Sequence, residues 1–124
     1  MAKIAVVEDN DAMRAQLCGF IAQYAQESGH QLDVTAFSDG AQLVEPYRPG
    51  FDIIFLDIEM PRLGGMPTAE RIRQLDPEVV LIFVTNMAQY AIRGYEVDAL
   101  DFVLKPVSYY CLLYTSDAAD DLIG

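Results

Sequence analysis

The chain has 124 residues, 52% of them hydrophobic, which is enough for one domain with a real core and too apolar for a disordered chain. Its 19 acidic and 8 basic residues give a formal net charge of −11, which argues against binding to nucleic acid or to an anionic membrane, because negative phosphates would repel it. A cation or a basic partner suits this charge better.

Cysteine content and hydropathy bear on the compartment. The two cysteines, Cys18 and Cys111, have no metal-binding spacing, which fits a reducing environment. No signal peptide is visible in MAKIAVVEDN, and no apolar run approaches the ~20 residues of a membrane-spanning helix. These features predict a cytoplasmic domain with no membrane partner.

The chain opens with a strand pattern and a helix pattern. The β-branched run over 3–9 predicts a strand that ends in acidic residues. Over 11–28, apolar residues recur at helical spacing, with Asn10 or Asp11 able to cap the start and Gly29 able to end the helix. The predicted apolar stripe consists of Met13, Leu17, Phe20, Ile21 and Tyr24.

The middle of the chain repeats this alternation. Residues 31–37 alternate apolar and polar side chains, as a strand near a sheet edge does, and 38–47 predict a short helix. The apolar run over 51–57 predicts a third strand. A loop rich in Pro and Gly then leads to a predicted helix over 66–75.

The last elements complete the pattern. The run over 79–85 is almost entirely apolar, as a parallel strand covered on both faces is. Residues 86–99 predict a helix interrupted by Gly94, and 101–106 predict a last short strand. Strands that alternate with helices in this way predict an α/β fold, with a parallel sheet, right-handed crossovers and helices on both faces.

Polar side chains follow the predicted strands at the point where each strand ends. Glu8 and Asp9 follow the first strand, Asp57 the third, Thr85 the fourth and Lys105 the fifth. Because the carboxyl ends of parallel strands share one edge of the sheet, where ligands bind, we expect these five side chains to lie together.

The chemistry of this set favours phosphoryl transfer. Three converging carboxylates repel one another unless a cation sits among them, and hard oxygen ligands without His or thiolate favour Mg²⁺ over zinc. A lysine and a hydroxyl at the same place can bind phosphate oxygens. One carboxylate aligned with a metal-held phosphoryl group can attack it and become an acyl phosphate.

Each residue also has an ordinary structural explanation. Asp57 alone is typical of a turn or a helix cap, and Thr85 alone of a cap for the next helix. The acidic run around Asp9 can be a solvated, capping segment, and Lys105 with Pro106 can form a simple turn. The coincidence of all these residues with successive strand ends favours a site.

Four motifs in order, VVEDN, FLDIEMP, FVTN and LDFVLKP, resemble the receiver domain of two-component response regulators. The resemblance runs from residue 2 to about residue 110 and implies a receiver domain over 1–110. It implies a flavodoxin-like (CheY-like) fold, doubly wound around a five-stranded parallel sheet with strand order 2-1-3-4-5.

The resemblance assigns roles to the site residues. It implies that Asp57 is the phosphoacceptor and that Mg²⁺ is held by Glu8, Asp9, the Asp57 carboxylate and the backbone carbonyl of Glu59. It also implies that Thr85 is the switch hydroxyl that binds the phosphoryl group.

The same resemblance concerns the last strand. It implies that Lys105 pairs with the phosphoryl group, that Lys105–Pro106 is a cis peptide and that Phe102 is the aromatic switch residue. Phe102 alone is typical of a core residue. Phosphorylation by a sensor histidine kinase would reshape the face formed by residues 86–104, which could then form a homodimer.

Two further stretches bear on the whole protein. The stretch TNMAQYAIRGYEVDALDFVLKP resembles receivers that precede a LytTR-type DNA-binding domain, so DNA would be bound only through a domain outside this chain. Gly64 and Pro67 depart from the family, which more often has an acid and a helix former there, whereas Gly65 matches its usual glycine.

The segment over 111–124 does not resemble the amphipathic fifth helix of a receiver. CLLYTSDAAD is similar to a translated sequencing adapter, so we interpret the tail as artefactual or as a divergent end, with the fifth helix truncated or divergent.

Three other functions stay open on the residues alone. A phosphatase of the haloacid dehalogenase type uses similar groups but needs its nucleophile after the first strand. A flavodoxin-like electron carrier needs a Ser, Thr and Gly-rich loop where EDNDAM stands, and acidic residues there would repel a flavin phosphate. A stand-alone receiver would act through protein contacts. We expect a signalling domain that accepts its own phosphoryl group and is not a turnover enzyme.

Overall fold

Strands and helices alternate in the computed structural model, which describes residues 2–58, 64–85, 97, 99, 101–105 and 109. The elements in chain order are β1 (Ala2–Val7), α1 (Asp11–Ser28), β2 (Leu32–Phe37), α2 (Gly40–Val44), β3 (Ile53–Leu56), α3 (Gly65–Leu75), β4 (Val80–Thr85) and β5 (Asp101–Leu104). All neighbouring strands are parallel, in the order β2-β1-β3-β4-β5. The predicted fold is therefore confirmed.

The first helix begins and ends where its capping residues predict. The Asn10 side chain accepts a hydrogen bond from the Met13 backbone N–H at 2.9 Å, and Gly29 ends the helix with a φ of 75°. Leu17, Ile21 and Tyr24 are buried, while the other two residues of the predicted stripe pack half-buried against the same core. The apolar stripe is thus the face that α1 turns to the sheet.

Two separate core layers cover the two faces of the sheet. Along β1, Ile4 and Val6 face the layer under α1, whereas Ala5 and Val7 face the opposite layer, because successive strand residues point to opposite faces. Every residue of β3 and β4 is buried, as predicted for strands covered on both sides. The layer opposite α1 includes Leu43 of α2 together with Met66, Ala69 and Ile72 of α3.

Several predicted elements are longer than the observed ones, including the third strand, which was expected over 51–57 and spans Ile53–Leu56. The first strand was expected over 3–9, but β1 ends at Val7, so both acidic residues lie beyond it. The helix expected over 38–47 spans Gly40–Val44, and Asp39 caps its start by accepting the Ala41 N–H at 2.9 Å.

Other expectations fall largely outside the described residues. The helix expected over 86–99 is described only at residues 97 and 99, and the segment after Lys105 only at Tyr109. The fifth-helix, domain-boundary and tail predictions therefore stay predictions. No helix in the described part of the chain is both long and apolar enough to cross a membrane.

Candidate functional site

Three carboxylates meet where β1 and β3 end side by side. The Glu8 N–H donates to the Phe37 carbonyl and the Asp57 N–H to the Val7 carbonyl, both at 3.0 Å, so the backbone at both strand ends is anchored to a neighbouring strand. Glu8 is 0% exposed and Asp57 4%, whereas Asp9 is exposed. Carboxylate oxygens of the three residues lie within 4.8 Å of one another.

A lysine from the fifth strand reaches this carboxylate cluster. Lys105 follows β5, and its N–H donates to the Thr85 carbonyl at the end of β4 at 2.8 Å. Its Nζ lies 2.5 Å from Glu8 Oε1 and 3.2 Å from Asp57 Oδ2. The Lys105 side chain therefore extends past the end of β4 to reach Asp57 at the end of β3. Buried Thr85 is the last residue of β4, which lies between β3 and β5.

Burial and the closeness of these charged groups shift the pKa values of Asp9 and Lys105. Burial, a hydrogen bond to Glu8 and the charge of Glu8 raise the pKa of Asp9 above the ordinary carboxyl value. Burial alone would lower the pKa of Lys105, but hydrogen bonds to Glu8 and Asp57 and the negative charges of both outweigh it, so this pKa is raised. Lys105 is therefore a cation at neutral pH and balances one of the three carboxylates.

The donor set fits a hard divalent cation. All the side-chain ligands available in the carboxylate cluster are oxygens, which suits Mg²⁺. Glu8 Oε2 accepts the Asn10 N–H at 3.2 Å. Buried Glu8 Oε1 contacts the Lys105 ammonium at 2.5 Å. A carboxylate oxygen has more than one lone pair, so a cation or its water could still bind there.

The structure brings together four of the predicted site residues, Glu8, Asp9, Asp57 and Lys105, with Thr85 on the adjoining strand end. The other predictions lie outside the described residues. They are the Glu59 carbonyl ligand, the cis peptide at Pro106 and the side chain of Phe102.

One contact of this site was not predicted. Arg14 of α1 donates from Nη1 to the Glu8 backbone carbonyl at 2.9 Å. Two features of the sequence could have indicated this contact. Arg14 is the only lysine or arginine between Lys3 and Arg48, and it follows closely after the acidic run.

A depression of about 420 Å³ lies beside the lysine. It is lined by Asn10, Ala12, Met13, Gln16 and Lys105, so the start of α1 forms one of its walls. The depression gives an open approach to the side of the site on which Lys105 lies.

Comparison with known proteins agrees with this geometry. A family model described as "Response regulator receiver domain" matches residues 4–114. The transcriptional regulatory protein BtsR of Escherichia coli is 33% identical over 111 residues, which are 86% of this chain and 43% of that protein. The chain thus spans less than half the length of this curated relative.

Solved structures share the fold. The non-phosphorylated HemR receiver domain from Leptospira biflexa superimposes with a TM-score of 0.83 at 25% identity, covering 96% of this chain and 94% of that one. The response regulator TrrA from Thermotoga maritima, in complex with Mg²⁺–BeF, gives a TM-score of 0.78 at 24% identity, covering 96% and 99%. The latter likeness concerns the fold alone.

Proposed function

The chain belongs to the family of response regulator receiver domains, and from that premise we propose that it accepts a phosphoryl group on Asp57 from a sensor histidine kinase in a Mg²⁺-dependent reaction. The observation that carries the proposal is the meeting of Glu8, Asp9, Asp57 and Lys105 at one edge of the sheet.

Asp57 is the nucleophile in this proposal. One of its carboxylate oxygens forms a bond to phosphorus, while the bond between phosphorus and the kinase imidazole nitrogen breaks and the nitrogen keeps the electron pair. Anchoring of the Asp57 N–H by the Val7 carbonyl supports this role, since a fixed backbone directs the carboxylate.

Glu8, Asp9, the Asp57 carboxylate and the Glu59 carbonyl would hold Mg²⁺, which when bound offsets negative charge on the transferring oxygens. Lys105 and Thr85 would act on the phosphoryl oxygens. Lys105, already 3.2 Å from Asp57 Oδ2, would release Asp57 and pair with the phosphoryl group. The Thr85 hydroxyl would donate to a second phosphoryl oxygen.

The new charge on Asp57 is the signal. A phosphoryl group adds a charge of roughly −1.5 to −2 and three strong acceptor oxygens. Movement of Thr85 toward it would let Phe102 rotate inward and reshape the face formed by residues 86–104, which would then homodimerise.

The output belongs to the longer protein. We propose a cytoplasmic transcriptional regulator in which residues 1–110 are the receiver domain, a LytTR-type domain outside this chain binds DNA, and 111–124 is an artefactual or divergent tail. The similarity to a transcriptional regulatory protein of which the match covers only 43% supports this proposal.

The acceptor is tested by labelling with a small phosphodonor. Asp57→Asn should abolish the label on the protein, because the amide is a poor nucleophile. Asp52→Asn is the matched control, since Asp52 immediately precedes β3 at the opposite end and its carboxylate accepts only a backbone contact from the Lys3 N–H at 2.8 Å among the bonds described. Label that persists in Asp57→Asn, or is equally lost in Asp52→Asn, would contradict the assignment.

A further inference from the structure

The Arg14 guanidinium joins the start of α1 to the peptide that carries the acidic pair. Nη1 donates to the Glu8 carbonyl at 2.9 Å, and Nη2 pairs with Asp11 Oδ1 at 2.5 Å. The side chain of Arg14 is 22% exposed, against 89% for that of Asp11. The bond to the carbonyl is therefore on the protected side of the guanidinium and the ion pair on the solvent side.

A hydrogen bond to the Glu8 carbonyl affects the orientation of the peptide between Glu8 and Asp9. Glu8 is already anchored through its N–H, by the Phe37 carbonyl, and through its carboxylate, by the Asn10 N–H and Lys105. Its carbonyl belongs to the planar peptide unit whose nitrogen is that of Asp9. A bond to this carbonyl therefore fixes the plane from which the Asp9 side chain leaves the backbone.

We propose that Arg14 is a positioning residue for the cation site, aligning the Glu8–Asp9 peptide so that the carboxylates of both residues meet that of Asp57. This inference rests on the proposed function, because it concerns the Mg²⁺ that the receiver would bind. Groups that orient metal ligands typically contribute about 10- to 100-fold to metal affinity.

The sign of the effect separates positioning from charge. The positive guanidinium of Arg14 repels a Mg²⁺ ion bound nearby. If Arg14 acted through electrostatics alone, removing its charge would therefore tighten Mg²⁺ binding. If Arg14 acts by holding the peptide, removal weakens binding despite the lost repulsion.

The experiment is calorimetric titration of the whole chain with Mg²⁺ alone. Arg14→Gln should weaken binding about tenfold. Arg14→Lys should also weaken it, because an ammonium keeps the charge but lacks the planar fork that reaches two acceptors. Asp11→Asn is the control: it removes the exposed partner and leaves the bond to the Glu8 carbonyl, so affinity should change by no more than about twofold.

The outcomes are decisive. Unchanged or tighter Mg²⁺ binding in both Arg14 variants overturns the positioning role while leaving the proposed function in place. A wild type that binds no Mg²⁺ overturns the metal-dependent function and this inference with it.

Thermal unfolding shows whether the variants are folded at the titration temperature. If neither is, the wild type decides by NMR: the Arg14 guanidinium protons should exchange slowly and the Asp9 amide should shift with Mg²⁺. Fast exchange of those protons overturns the inference.

Discussion

Gly65, the first residue of α3, lies against the backbone of the proposed phosphoacceptor. Its N–H donates to the Ile58 carbonyl at 2.7 Å. A Cβ added to Gly65 would overlap the Asp57 carbonyl oxygen and lie 2.6 Å from Ile58 Cα. These neighbours are backbone atoms, so they cannot move aside as the end of a side chain could.

Gly65→Ala should therefore destabilise the fold by about 2 kcal/mol, as overpacking does, and slow labelling of Asp57. Gly19→Ala provides a control of opposite sign. Gly19 lies within α1, and nothing lies within 4 Å of the place that a Cβ would take there, so the alanine should stabilise by about 0.5–1 kcal/mol through helix propensity. Urea denaturation measures both, and equal effects at the two positions would contradict the close approach at Gly65.

Side chains at strand ends could be predicted from the sequence, whereas backbone contacts between elements could not. Asp57 and Lys105 are 48 residues apart, yet their meeting follows from the rule that parallel strands end at one edge. The bond from Arg14 to the Glu8 carbonyl depends on how α1 packs over the sheet, which no periodicity specifies. The fit of Gly65 against Asp57 depends in the same way on how the start of α3 approaches the end of β3.

At the scale of elements, one arginine ties the end of α3 to the segments that follow it. Arg73 Nη1 donates to the carbonyls of Asp76, Pro77 and Val79, at 3.3, 3.2 and 2.6 Å. Its Nε donates to the Val97 carbonyl at 2.6 Å. A single guanidinium thus links α3, the turn before β4 and Val97 within the face formed by residues 86–104.

Arg73→Gln should destabilise the protein by about 2 kcal/mol, because it leaves several half-buried carbonyls without a charged donor. Arg71→Gln, on the same helix, removes an exposed arginine that bonds the Gln74 side chain, and should cost less than about 0.5 kcal/mol. Thermal unfolding compares the pair. A cost for Arg71→Gln as large as that for Arg73→Gln would show that helix propensity or net charge dominates instead.

The extent of each element was predictable to the degree that local signals marked its ends. The bounds of α1 agree with the prediction because Asn10 and Gly29 make the caps that the sequence indicates. The extent of α2 was overestimated at both ends, although its start is marked by a local bond, in which the Asp39 side chain accepts the Ala41 N–H. The turn after α3 depends on tertiary structure, since the Tyr47 hydroxyl donates to Asp76 Oδ2 at 2.7 Å across 29 residues.

At the scale of the whole molecule, the fold concentrates negative charge that the sequence already carries in excess. The net charge is −11, and the sheet brings three carboxylates within 4.8 Å at one edge, where the described residues place the ammonium of Lys105 against them. Such a cluster stores repulsion in the folded state that the extended chain does not have. A cation bound there should therefore stabilise the native state specifically.

Mg²⁺ at a hundred times its dissociation constant should add about 2.7 kcal/mol to the free energy of unfolding, because it binds the folded chain and not the unfolded one. For a chain of this length, that corresponds to a rise in melting temperature of about 10 °C. Sodium chloride at the same ionic strength should give a much smaller rise, since it only screens the general excess of negative charge. Asp57→Asn should lose most of the Mg²⁺ increment, because one of the three converging carboxylates is gone. An equal rise with sodium chloride, or an undiminished increment in Asp57→Asn, would show that Mg²⁺ acts on the surface charge as a whole and not at the ends of β1 and β3.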